Sequence, residues 1–167
     1  MKNNILILIS LLFLTGCLEE KEEREVSYLQ DRNGIKYEVN TYAGFTGKYV
    51  EYDDHGQKQF EEHLKLGKRH GLYLEWYEDG QKKKETNYKN GKQEGLKTFW
   101  NNTGQRKWEG NFKNGKKEGL FIGWYANGQK RFEGNAKHGK DDGLWTYWDE
   151  EGNIVKTKTY KDGDLVK

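Results

Sequence analysis

Between Gly71 and Glu94 the chain alternates apolar and polar residues with a period of two, the rhythm of a β-strand. Leu72, Leu74 and Trp76 fall on one face of a first strand, and Tyr73, Glu75 and Tyr77 on the other. On a second strand Lys84, Thr86 and Tyr88 oppose Lys83, Glu85, Asn87 and Lys89. Asp79-Gly80 and Asn90-Gly91 interrupt the alternation, as do Asn127-Gly128 and Asn114-Gly115 further on. These dipeptides favour tight turns with positive φ. No segment carries the apolar spacing of a helix.

The two-strand unit recurs. Gly47, Gly71, Gly95, Gly119 and Gly143 stand 24 residues apart. Nine residues after each come Gly56, Gly80, Gly104, Gly128 and Gly152, and twenty after each come Gly67, Gly91, Gly115, Gly139 and Gly163. All fifteen are expected to be turn glycines. They define five units, 47–70, 71–94, 95–118, 119–142 and 143–167. The predicted fold is all-β, an elongated antiparallel meander of stacked β-hairpin repeats. Ten strands at about 4.8 Å spacing give a ribbon on the order of 50 Å long. Contacts between neighbours, not one central core, hold such an array together.

Stacking aligns equal phases into ladders. The strongest is Tyr52, Trp76, Trp100, Trp124 and Trp148, flanked by Leu72, Leu96, Leu120 and Leu144. Further ladders hold Leu64, Tyr88, Phe112, Ala136 and Tyr160, and Phe60, Trp108 and Phe132, with Lys84 and Lys156 interrupting the last. All are expected on the more buried face. Alternation then leaves Tyr73, Phe99, Phe121, Trp145 and Tyr147 on the opposite face, with Tyr77 and Tyr125 beside them. A single-layer ribbon does not cover both faces by itself. Exposed aromatic rings are typical binding anchors, so these five residues are the expected contact for a protein partner or a second copy. Residues 27–46, around Asn33-Gly34, suggest a degenerate hairpin capping the first edge strand.

Composition narrows the function classes. Of the chain, 34% is charged and only 33% apolar, yet 14% is aromatic. The aromatic content argues against disorder, and the scarcity of aliphatic residues against a thick core. One Cys excludes an intrachain disulfide framework and a Cys-based zinc site. The net charge of +2 is too small to argue for nucleic acid. After the first seventeen residues the only Ser is Ser27, and the four His, at 55, 63, 70 and 138, occupy four different repeat phases. No GxxxxGK[ST] phosphate loop is present. The expectation is a non-enzyme with no cofactor and no metal. Asp141, Asp142, Asp149, Glu150 and Glu151 are expected in solvated turns, with weak calcium binding as the alternative. The basic rows Lys82, Lys83 and Lys84, Arg106 and Lys107, and Lys130 and Arg131 suggest a solvated face open to anionic lipid or an acidic partner.

Lys2 precedes a ten-residue apolar run, Ile5 to Leu14, the length of a signal-peptide core and too short for a spanning helix. Leu14-Thr15-Gly16-Cys17 resembles the bacterial lipobox. The resemblance implies a signal peptide over 1–16, removal before Cys17, and lipidation of that residue. Residues 17–26 are then a charged tether carrying Glu19, Glu20, Glu22, Glu23 and Glu25. The expected location is the cell envelope, lipid-anchored to a membrane, and the outer membrane or cell surface in an organism with two membranes.

Gly71-Leu72-Tyr73-Leu74-Glu75-Trp76-Tyr77-Glu78-Asp79-Gly80-Gln81 and Tyr88-Lys89-Asn90-Gly91-Lys92-Gln93-Glu94-Gly95 resemble the MORN-repeat variant of bacterial YwqK-type antitoxin proteins, over about residues 34–167. Arg69-His70-Gly71 keeps the His-Gly step of ordinary MORN repeats, whereas Glu94, Glu118 and Asp142 replace His in later units. The resemblance implies a hairpin ribbon that binds something. Its family name points to toxin neutralisation, and other MORN proteins to lipid association or scaffolding. The expected function is therefore that of a non-catalytic, membrane-anchored lipoprotein binding a partner, of antitoxin or immunity type. The alternative is an envelope scaffold for anionic lipid or cell-wall glycan. Replacing Cys17 by Ala is expected to abolish metabolic labelling with a fatty acid and to leave an unprocessed precursor; equal label in both proteins would overturn the anchor.

Overall fold

The computed structural model describes residues 24–38 and 43–166. Cys17, the leader and most of the tether lie outside the described residues. Fourteen strands and no helix are found there: β1 (Glu25–Val26), β2 (Gln30–Arg32), β3 (Ile35–Tyr37), β4 (Gly47–Tyr52), β5 (Lys58–Lys65), β6 (Lys68–Trp76), β7 (Lys82–Lys89), β8 (Lys92–Trp100), β9 (Arg106–Lys113), β10 (Lys116–Trp124), β11 (Lys130–Lys137), β12 (Lys140–Trp148), β13 (Ile154–Lys161) and β14 (Asp164–Leu165). From β4 to β14 each strand pairs antiparallel with the next, giving the expected meander in one twelve-stranded sheet with β1 at its edge.

The three glycine phases do different work. Asn90, Asn114, His138 and Asp162 share positive φ with the Gly that follows each, which makes the tight two-residue turn after β7, β9, β11 and β13. At Asp79-Gly80 and Asn127-Gly128 only the Gly has positive φ, and the loop is one residue longer. Gly71, Gly95, Gly119 and Gly143 are not turn residues at all. They lie inside strands, where pairing to the preceding strand slips, as between Lys117 and Phe121. Their positive φ marks a bulge that bends each strand back from its tip.

That bend brings each tight turn against the unit before it. The amides of Gly91, Gly115, Gly139 and Gly163 donate to the carbonyls of Arg69, Gln93, Lys117 and Asp141 at 2.7–2.9 Å. The residue preceding each Gly also donates its amide, to a side chain twenty positions upstream. Asn90 donates to His70 Nδ1 (3.4 Å), Asn114 to Glu94 (2.8 Å), His138 to Glu118 (2.9 Å) and Asp162 to Asp142 (3.4 Å). The change from His to carboxylate thus keeps one role, an acceptor for the next turn.

The N-terminal cap differs from expectation. The edge of β4 pairs in parallel with β1, whose two residues close the segment 17–26 expected as a tether. The hairpin β2–β3 forms a separate sheet and sits on the first tight turn, with the Lys36 amide donating to the Gly67 carbonyl.

The buried face keeps two of the four ladders expected there and exchanges the Trp and Leu ladders for the rings expected on the opposite side. Phe121 and Trp145 are each only 5% exposed, Tyr73 is buried with them, and Phe99 and Tyr147 are half-buried on the same face. They join the Leu64-to-Tyr160 and Phe60-to-Phe132 ladders: Ala136 completes the core with Phe121 and Trp145, and Trp108, Phe112, Phe132, Tyr147 and Tyr160 pack against it. The physical cause is three glycines outside the repeat phases. A Cβ on Gly110 would meet Phe121 at 2.2 Å, one on Gly123 would meet Phe132 at 2.2 Å, and one on Gly134 would meet Trp145 at 2.1 Å. Each ring lies flat across a neighbouring strand where no side chain stands. Stacking continues the cover, as between Phe99 and Trp108 at 4.9 Å and Phe132 and Trp145 at 6.0 Å.

The exchange orders the costs of truncation. Phe121→Ala is expected to destabilise by about 3–5 kcal/mol, and Leu120→Ala, next to it on the exposed face, by under about 1 kcal/mol. Chemical denaturation followed by circular dichroism checks this; equal losses would overturn the assignment of faces.

Candidate binding surface

The face opposite the rings is built from columns. Its outermost column is Leu72, Leu96, Leu120 and Leu144, paired across strands with Asn87, Asn111, Asn135 and Thr159. Leu96, Leu120 and Leu144 are 43%, 40% and 57% exposed. Strand spacing puts successive Leu on the order of 10 Å apart. They were expected in the core, but no glycine-floored niche receives them.

Trp76, Trp100, Trp124 and Trp148 share this face and are half-buried, while Tyr52 at their N-terminal end is exposed. Each ring takes a cation from the preceding unit. Lys58 lies 5.3 Å from the Trp76 ring centre, Lys82 5.4 Å from Trp100, Arg106 5.7 Å from Trp124 and Lys130 5.8 Å from Trp148. The same cations pair with Glu61, Glu85, Glu109 and Glu133, three residues on, at 2.5–3.0 Å. Both partners lie on one face because the strand bulges between them, as between Glu75 and Trp76 where Lys82 pairs. A cation over an exposed ring contributes about 0.5–1 kcal/mol, so the column staples units rather than advertising charge. Sequence reasoning missed this motif. Its signal was present as a basic residue, a Glu three later and a Trp eighteen later, in four successive units.

Other predicted residues are also engaged. Tyr77 and Tyr125 donate their hydroxyls to the carbonyls of Trp100 and Trp148, both at 2.8 Å. Lys83 and Arg131 lie over those same two Tyr rings. In the acidic cluster, Asp141 pairs with Lys117 (3.5 Å), Asp142 caps a turn, and Asp149 accepts from the Asn153 amide (2.7 Å). Among the described residues no three His, Cys, Asp or Glu come together to hold a metal ion.

On the ring face, Glu75 is the most heavily shared carboxylate. Lys83 reaches it at 2.9 Å, Lys84 at 3.3 Å and the Tyr73 hydroxyl at 3.4 Å. Burial pushes its acidity the other way, but the two ammonium groups outweigh burial and hold the carboxyl below its ordinary value. Burial and the nearby Glu75 charge push the Tyr73 phenol up to about 12.

Three segments, 69–90, 117–138 and 141–162, match the family model of the MORN repeat variant. Each runs from the strand before the bulge to the tight turn. Residues 93–114 make the same hairpin without matching, and carry Lys97 where the matched units have Tyr73, Phe121 and Trp145. Comparison with curated proteins found no match to the chain.

The state of Glu75 gives a pH test. Its folded-state pKa is depressed, so its contribution to stability is full above the ordinary value of 4.5 and is lost as pH falls through the lower folded value. The denaturation midpoint of the wild type is expected to fall more steeply below that pH than the midpoint of Glu75→Gln. Parallel pH profiles would show that the carboxylate adds nothing to the fold.

Proposed function

We propose that this chain is a non-catalytic binding ribbon, tethered to a membrane of the cell envelope through Cys17, whose Leu and Trp columns hold a protein partner. The observation carrying the proposal is the exposed column Leu96, Leu120 and Leu144, the one regular apolar feature of the array left uncovered. The match to MORN repeats supports a binding or scaffold role. Within that role we assign toxin neutralisation, on the resemblance of the repeats to those of antitoxin proteins. An anionic-lipid face is the weaker reading, because Lys82, Arg106 and Lys130 already serve Glu and Trp partners.

Tyr73, Phe99, Phe121, Trp145 and Tyr147 do not serve as the partner's anchors, contrary to the expectation from alternation, since those rings form the packed face. The test is a Leu96→Ser, Leu120→Ser double variant, expressed with its anchor and recovered from detergent-solubilised envelopes. It is expected to keep the wild-type circular dichroism spectrum and to lose a partner that the wild type holds stoichiometrically. A partner retained by the folded variant would remove the Leu face from the binding site. For the antitoxin role, loss of the chain is expected to halt growth only in cells making the partner; growth unaffected by the partner's presence would leave a scaffold.

A further inference from the structure

The ring face is interrupted once in its middle, at the seam between the second and third units. Tyr49, Tyr73, Phe121 and Trp145 occupy one phase of this face, and Lys97 stands where the third ring belongs. Lys84 likewise takes the phase of Phe60, Trp108 and Phe132. The register places Lys84 opposite Phe99 and Thr86 opposite both Tyr73 and Lys97.

The seam is built around an unanswered charge. The Lys97 ammonium sits among three rings, 5.2 Å from the centre of Phe99, 5.7 Å from Trp108 and 5.5 Å from Phe112. Lys84 approaches the same Phe99 ring at 5.8 Å and Tyr73 at 4.5 Å. Glu75 is the carboxylate nearby, but it already answers Lys83 and Lys84. No carboxylate among the described residues forms an ion pair with Lys97. Burial, and then the neighbouring Lys84, pull the Lys97 ammonium toward losing its proton. Beside it the Thr86 hydroxyl is fully buried and has no hydrogen-bond partner among the described residues. A buried hydroxyl without a partner is costly, and a half-buried cation without a counter-ion adds to that cost.

We propose that this seam is a carboxylate-binding site, in which Lys97, flanked by the Glu75-paired Lys84, receives an acidic side chain flanked by apolar residues of a partner protein. The surroundings select that ligand over a membrane. A bilayer presents many phosphates in a plane, whereas the next positions along this face are the rings Trp108, Phe121, Phe132 and Trp145, and the cation over Phe121, Lys117, already pairs with Asp141. One charge in an apolar frame matches one acid in an apolar segment. The site lies opposite the Leu column, so it is separate from the surface proposed above, and either can fail without the other.

The test reads Lys97 directly, by acetylation of the full chain in detergent with site-resolved mass spectrometry. The probe is phenylacetate, a carboxylate on an aromatic body, and the control is its neutral amide. Phenylacetate is expected to slow acetylation of Lys97 by about tenfold, the scale of a charge-assisted contact, to slow that of the adjacent Lys84 to a smaller extent, and to leave exposed Lys113 unchanged. The amide is expected to protect neither. Lys97→Met is expected to keep the fold and to abolish protection of Lys84. Thr86→Val is expected to weaken protection of Lys97 several-fold if the hydroxyl turns to the bound carboxylate. Equal protection by acid and amide, or no protection by the acid, overturns the site. Protection by phosphatidylglycerol vesicles but not by phenylacetate overturns it in favour of lipid. Lys97→Met leaving Lys84 protection intact overturns the role of Lys97.

Discussion

A sheet one layer thick has nothing above it to cover a ring, so a ring is best hidden by lying flat on the next strand. A residue there with no side chain allows the closest approach. Gly110 under Phe121, Gly123 under Phe132 and Gly134 under Trp145 provide it: a Cβ at any of them would stand only 2.1–2.2 Å from the ring. A fully buried aromatic side chain contributes about 1.5–3 kcal/mol. In a chain with so few aliphatic residues these niches carry much of the packing. They also decide which face is covered. The Trp column has no such floor, stays half-buried, and draws cations instead.

The second constraint is the joint between units. Stacked hairpins share one ladder of backbone bonds, but the tight turns at their tips would stand free. The bulge at Gly71 and its equivalents folds each tip back so that the next turn's two amides reach an upstream carbonyl and an upstream side chain. His70, Glu94, Glu118 and Asp142 are chemically different, yet each places an acceptor at the same spot. At the other end of the hairpin the units alternate. Tyr77 and Tyr125 reach forward to a Trp carbonyl, while Asp53, Asn101 and Asp149 accept amides of their own loops. The chain therefore has a 48-residue rhythm inside its 24-residue one. Among the described residues the strands pack chiefly on their sheet neighbours, the condition for a repeat array whose stability adds along its length.

Strand positions, unit length and meander order were legible in the sequence, because period-two alternation and glycine spacing report backbone geometry directly. The glycines at Gly71, Gly95, Gly119 and Gly143 were placed correctly but misread, since a bulge and a turn both demand positive φ. The choice of covered face was not legible from ladder strength. Trp is the largest side chain, and a regular Trp column suggests a core by size alone. What decided the matter was the small residues opposite the other rings, and within residues 47–167 Gly110, Gly123 and Gly134 are the glycines off the main phases. The cation column needed two offsets read together, three residues to Glu and eighteen to Trp. Cys17 and its leader carry a reading that only the sequence supports.

Regularity also limits what the ribbon says to a partner. Identical columns repeating at about 10 Å present the same contact in every unit and leave the partner free to slip by one. Position along such a surface is specified only where a unit departs from the pattern. The departures that staple units, such as His70 for Glu, preserve the contact and carry no address. Lys84, Thr86 and Lys97 differ: two cations stand where neighbouring units have rings, and a hydroxyl without a partner stands where Gly110 and Gly134 lie in later units, so this one seam weakens the packing that its neighbours perfect. A substitution that lowers packing at a single defined place, while keeping the backbone register intact on both sides, fixes one position on an otherwise uniform ribbon.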